Sequence, residues 1–185
     1  YSEIDFVQRV STPRPYVWPI DEDRIRRRVS LIDCGVKRNI MREMTKLGCE
    51  VTVWPCSTRA EEILERGPDG VMVSPGPGNP ERLRDIAAEV RKLAEAKPLL
   101  GICLGHQLLG QAYGAKTFKL KFGHRGGNHP VKELATGRVH ITSQNHGYAL
   151  DPDGLTDGPL EVSQINMNDG TVEGLRHKER PVFSI

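Results

Sequence analysis

Between residues 29 and 113 the sequence switches its hydrophobic period again and again, and this alternation limits the folds open to the chain more than any other feature. Residues 29–33, 51–54, 71–74 and 99–102 are short apolar runs of strand length, the kind buried on both faces of a sheet. Helical patterns lie between them. Residues 38–47 form one, stopped by Gly48, which tolerates the left-handed conformation after a helix end. Thr58 with Glu61 reads as a capping box opening a second helix that ends before Gly67. Asn79 and Pro80 suit the cap and first position of a third, whose Leu83, Ile86, Ala87, Val90, Leu93 and Ala94 share one face. A fourth helix follows over 105–113. Strands alternating with amphipathic helices predict an α/β fold, a mostly parallel, doubly wound sheet with helices on both faces.

The flanks are less regular. Residues 139–142, 160–165, 171–175 and 182–185 read as strands, while 124–129 and 151–158 read as loops, which predicts a partly antiparallel extension of the sheet. At the other end, 4–10 is a short helix-like run, and Pro13, Pro15 and Pro19 suit an extended linker. Arg24, Arg26, Arg27 and Arg28 then form a basic flank, read as solvated, with a docking patch for a partner chain as the alternative. The expected division is a segment 1–28, the tail of a preceding domain with its linker, and one domain, 29–185.

Composition removes several function classes. A net charge of +2 on 185 residues calls for neither nucleic acid nor an acidic membrane surface. No apolar run approaches the ~18 residues of a membrane span. The polar opening, with Glu3 and Asp5, does not read as a secretory signal. Cys34, Cys49, Cys56 and Cys103 include no pair at short metal-ligand spacing. Free thiols, a cytoplasmic setting and no metal are expected, although an even count permits disulfides.

Two loops carry candidate chemistry. Gly101-Ile102-Cys103-Leu104-Gly105-His106-Gln107 lies where a buried strand turns into a helix, the arrangement of a nucleophile elbow. Side chains at its glycines would collide with the turn or the neighbouring strand. Cys103 at a helix N-terminus is expected to favour the thiolate, and backbone N–H groups there could hold an oxyanion. The competing reading is a buried cysteine in a glycine-rich turn. Ser74-Pro75-Gly76-Pro77-Gly78-Asn79-Pro80 also joins a strand to a helix. A dinucleotide fingerprint fits it poorly, because Glu81 stands where the third glycine belongs, and a plain turn is the other alternative. Both loops follow strand ends, so they can face one pocket. His106, His124, His129 and His146 read as surface or hydrogen-bonded structural histidines.

The elbow resembles that of class I, triad-type glutamine amidotransferases. The stretches 33–40 and 121–131, together with Gln144-Asn145-His146-Gly147-Tyr148, narrow the likeness to carbamoyl-phosphate synthetase small subunits, over roughly 29–185. The resemblance implies a flavodoxin-like, class I amidotransferase fold. It implies that Cys103 attacks the glutamine side-chain amide and forms a thioester, with the N–H groups of Leu104 and Gly76 as the oxyanion hole. It also assigns Gly76, Gly78, Leu104, Gln107, Asn145, Gly147 and Tyr148 to the glutamine pocket; read without it, 145–148 is a polar turn. The implied partner is a large subunit using ATP and Mg, with no cofactor in this chain. In the family, a Gln-x-His-Pro-Glu segment supplying base and orienting acid follows the last strand. The sequence stops at Ile185, before that segment, and is expected to be a fragment. A catalytically inactive scaffold that binds the large subunit is the alternative, as is a different hydrolase built on a cysteine elbow.

Overall fold

The computed structural model describes residues 4–155 and 157–185. The first three residues of the segment 1–28 and Thr156 in the loop expected over 151–158 lie outside them. One sheet of ten strands organises the chain, in the order β1-β3-β2-β4-β5-β10-β9-β7-β6-β8. β2 (Arg27–Asp33), β3 (Cys49–Pro55), β4 (Gly70–Val73), β5 (Leu99–Gly101) and β10 (Val182–Ser184) are mutually parallel. Their side chains alternate between two cores, as strand geometry requires. Leu31, Val51, Val53 and Met72 pack with Met41 of α2 (Arg38–Lys46). Ile32, Trp54, Val71 and Val73 join the larger cluster under α3 (Ala60–Glu65), α4 (Arg84–Ala96) and α5 (Leu104–Ala112). The doubly wound expectation therefore holds.

The antiparallel extension is longer than expected. β6 (Lys116–Glu133) and β7 (Val139–Asp151) form a long hairpin with register breaks between Lys119 and His124 and between Gly126 and His129. β8 (Leu160–Asn166) pairs with both β6 and β9 (Val172–His177), and β9 touches β7 at Leu150 and Val172, closing a small barrel. Residues 124–129, expected to be a loop, therefore lie inside β6, and the turn reading of 145–148 gives way to β7. Bulges and the glycines at 123, 126 and 127 break the period of two on which strand recognition depends.

Three local expectations change. The helix after Thr58 begins at Ala60 with Arg59 as its cap, and Thr58 makes no capping bond; the N–H of Ala60 instead donates to the Glu89 carboxylate of α4 at 2.6 Å. A tertiary partner has replaced the local one. Asn79 does cap, accepting from Glu81 N–H at 3.1 Å, but it caps a single 3₁₀ turn, Pro80–Arg82, and α4 starts after it. The proline-rich stretch is more than a linker. β1 (Tyr16–Trp18) pairs antiparallel with β3, and Val7 of α1 (Phe6–Val10) is buried in the larger core.

Candidate active site

Asp33 ends β2, Ser74 follows β4 and Cys103 follows β5, so three loops meet at the carboxyl edge of the sheet, where β2 and β4 diverge in connectivity. Asp33 accepts from the N–H groups of Gly35 and Val36 through Oδ1, both at 2.9 Å, and from Thr12 N–H through Oδ2 at 2.8 Å. Ser74 Oγ accepts from Cys34 N–H at 2.9 Å and donates to Pro75 O at 2.8 Å. Sequence alone assigns neither residue a role. Their small polar side chains at strand ends are the available signal.

Cys103 is the one non-glycine residue with positive φ among the described residues, at φ 52° and ψ −103°. Such a conformation costs about 1–3 kcal/mol and persists only where surroundings enforce it. The flanking glycines show how. A Cβ on Gly101 would stand 2.5 Å from Gly105 O, and one on Gly105 would stand 2.3 Å from Val73 O. A Cβ on Gly76 would stand 2.2 Å from Cys34 O and 2.7 Å from Leu104 Cδ2. The Gly76 loop is therefore seated directly on the residue after the nucleophile candidate.

The helix N-terminus does not suffice to make a thiolate. Burial raises the Cys103 thiol above its ordinary value; the Leu104 N–H beside the sulfur and the charge of Lys37 pull it partly back, and Glu173 pushes it up again. A nucleophile in this position would need a base. Ile185 lies beside it: Cys103 N–H donates to Ile185 O at 2.8 Å, and Ile185 N–H to Gly101 O at 3.0 Å. His106 is unsuited to that task. It is buried, its Nδ1 meets Ser184 Oγ at 2.8 Å, and burial pushes its pKa down to about 4.

Of the other expected pocket residues, Asn145, Gly147 and Tyr148 come from the barrel, while Gln107 lies on α5 and Gly78 in the loop after β4. Gln107, one turn past Cys103, donates from Nε2 to the Tyr148 carbonyl at 2.7 Å. Gly147 and Tyr148 follow His146 in β7; Asn145 stands opposite Arg125 with its side chain exposed. Gly78, at φ 102°, lies against Phe6 of α1. Behind β7, the ring nitrogens of His124 and His146 and the Glu173 carboxylate converge within 4.8 Å, although they are far apart in sequence. Their atoms are engaged with one another: Glu173 Oε1 to His124 Nδ1 at 3.0 Å and Oε2 to His146 Nε2 at 3.3 Å, with His124 Nε2 held by Asp169 at 2.8 Å. His129 Nε2 meets Arg125 O at 3.2 Å.

A cysteine elbow at the carboxyl edge of a doubly wound sheet, beside a glycine loop, places the molecule in a structural class with solved members. A glutamine amidotransferase from Thermotoga maritima superposes with a TM-score of 0.62 at 20% identity, covering 85% of this chain and 74% of that one. A candidate GMP synthase component from Thermoplasma acidophilum gives 0.70 at 24% identity, covering 85% and 81%. Residues 30–185 match the family model described as glutamine amidotransferase class-I, and the chain belongs to that family. It is 55% identical over 184 residues to the carbamoyl phosphate synthase small chain of Methanopyrus kandleri, covering 100% of this chain and 50% of that relative. It is 53% identical over 182 residues to the small chain of Listeria monocytogenes, covering 98% and 49%. The chain spans about half the length of the curated relatives it matches.

Proposed function

We propose that this chain carries the glutamine-hydrolysing site of a carbamoyl phosphate synthase small chain. One observation carries the reading: Cys103 is forced to positive φ on an elbow, with the Leu104 N–H at its sulfur and the Gly76 loop packed on Leu104. The Cys103 sulfur attacks the side-chain amide carbon of glutamine, and the N–H groups of Leu104 and Gly76 receive the oxyanion. Ammonia leaves, and water hydrolyses the thioester to glutamate and free thiol. Gly78, Gln107, Asn145, Gly147 and Tyr148 line the substrate side.

The raised thiol requires a base, and the position of Ile185 O beside Cys103 N–H supports one supplied by residues that follow Ile185. Ammonia passes to a large-chain partner that uses ATP, Mg and bicarbonate, while this chain needs no cofactor of its own. Free Cys34, Cys49, Cys56 and Cys103 support a reducing, cytoplasmic setting. No helix among the described residues is long and apolar enough to cross a membrane. A scaffold role would leave the strain at Cys103 without a purpose.

The test uses the full-length small chain assembled with its large chain. Cys103→Ser is expected to abolish glutamine-dependent carbamoyl phosphate synthesis, by roughly a thousandfold or more, and to spare synthesis from added ammonia. Glutamine-dependent synthesis that survives the substitution would remove Cys103 from the mechanism.

A further inference from the structure

Glu173 stands on β9, in the barrel, and its carboxylate is buried. An isolated buried carboxylate is costly, so its partners explain why it is there. Its Oε1 faces His124 Nδ1 at 3.0 Å and accepts from Asn166 Nδ2 at 3.2 Å and Thr171 Oγ1 at 3.3 Å. Its Oε2 faces His146 Nε2 at 3.3 Å.

His146 transmits this arrangement towards the nucleophile. Its Nδ1 lies 2.9 Å from the Tyr148 carbonyl, which can only accept, so Nδ1 carries a proton. Its Nε2 faces a carboxylate oxygen, which also only accepts, and lies 3.3 Å from His124 Nδ1. The ring is satisfied when both nitrogens donate, as an imidazolium paired with Glu173. Burial disfavours that charge, but the bond and charge of Glu173, together with the Tyr148 carbonyl and the charge of Asp169, outweigh it and hold His146 above its ordinary pKa. The Tyr148 carbonyl then receives two donors, His146 Nδ1–H and Gln107 Nε2–H at 2.7 Å. The second comes from α5, four residues past Cys103. A continuous chain thus runs from Glu173 by an ion pair to His146, and by hydrogen bonds through the Tyr148 carbonyl to the helix that presents the proposed nucleophile.

We propose that Glu173 is a positioning residue for glutamine binding: it fixes the His146 ring, which fixes the segment 145–148 against Gln107 of α5. Glu173 touches none of the reacting atoms in this arrangement. Removing its charge does not oppose thiolate formation, because that charge raises the Cys103 thiol. Its loss is therefore expected in substrate affinity and not in the chemical step. The proposal rests on the reading of Cys103 and glutamine given above.

The experiment is steady-state kinetics of the full-length small chain assembled with its large chain, with both glutamine and ammonia as nitrogen donor. Glu173→Ala is expected to raise KM for glutamine roughly tenfold to a hundredfold, the loss for one hydrogen bond to a charged group. Its kcat and its ammonia-dependent synthesis should stay within about twofold of wild type. Glu173→Gln keeps one oxygen for His146 Nε2–H but sets its amide N–H against the Asn166 amide donor, so its KM should fall between those of Glu173→Ala and wild type. An unchanged KM in Glu173→Ala overturns the proposal. So does a parallel fall in ammonia-dependent synthesis, or a Gln variant no better than Ala. A wild-type enzyme that makes no use of glutamine would instead sink the function proposed above, which keeps the two failures distinct.

Discussion

The wound half of the molecule and its small barrel both contribute to the proposed site, but they hold their residues by different physics. In the wound half the constraint is steric. Gly76, Gly101 and Gly105 each leave less than 2.6 Å for a Cβ against a backbone oxygen, and Cys103 is driven to positive φ between them. In the barrel the constraint is a polar network, Glu173 to His146 to the Tyr148 carbonyl to Gln107. Backbone collisions are nearly all-or-none, because packed backbone cannot yield by an ångström. Hydrogen-bond networks fail in steps of one bond. The proposed nucleophile, whose placement tolerates little error, stands in the half that cannot deform. The proposed substrate segment stands in the half that can be adjusted.

Gly105→Ala should produce the largest effect. Its Cβ would meet Val73 O at 2.3 Å, and β4 is a central strand with no room to move. A loss of roughly 3 kcal/mol or more in urea denaturation of the full-length protein is expected, up to failure to fold. A variant of near wild-type stability would show that the elbow is softer than the barrel and would reverse the comparison.

The next effect concerns acid. An unfolded His106 titrates near its ordinary 6.5, and burial pushes the folded value down to about 4. Folding therefore excludes a proton in this interval. The stability this group permits is complete above about pH 6.5 and is lost progressively as pH falls towards 4. The loss reaches up to about 3 kcal/mol, and His106→Gln should flatten that part of the stability profile. Equal slopes for the two proteins would contradict the assignment of a buried neutral imidazole. The smallest effect belongs to the barrel, where Glu173→Ala should change glutamine affinity and leave folding of the wound half intact.

The same contrast explains what the sequence reveals. In the wound half, period and punctuation agree: the buried strands are continuous apolar runs, and α4 shows its face at Ile86, Ala87, Val90, Leu93 and Ala94, all buried. The elbow is legible because its glycines answer a purely local demand. The barrel is not, because His124, His146 and Glu173 meet through the pairing of β6, β7 and β9, and bulges erase the strand period. Its expected pocket residues are reached only through the resemblance of whole motifs. The Glu89 cap on Ala60 is hidden for a related reason: its partner comes from another helix. The thiolate expectation fails on a quantity that linear sequence does not carry, the burial of Cys103.

Covalent labelling tests the central claim most directly. The full-length protein, incubated with a glutamine-like electrophile and digested for mass spectrometry, should carry one adduct, on Cys103. Cys34, Cys49 and Cys56 should remain unmodified, since none lies on the elbow that would present a thiol to bound glutamine. Excess glutamine should protect Cys103. An unmodified Cys103, or label on another cysteine that glutamine protects, would contradict the account.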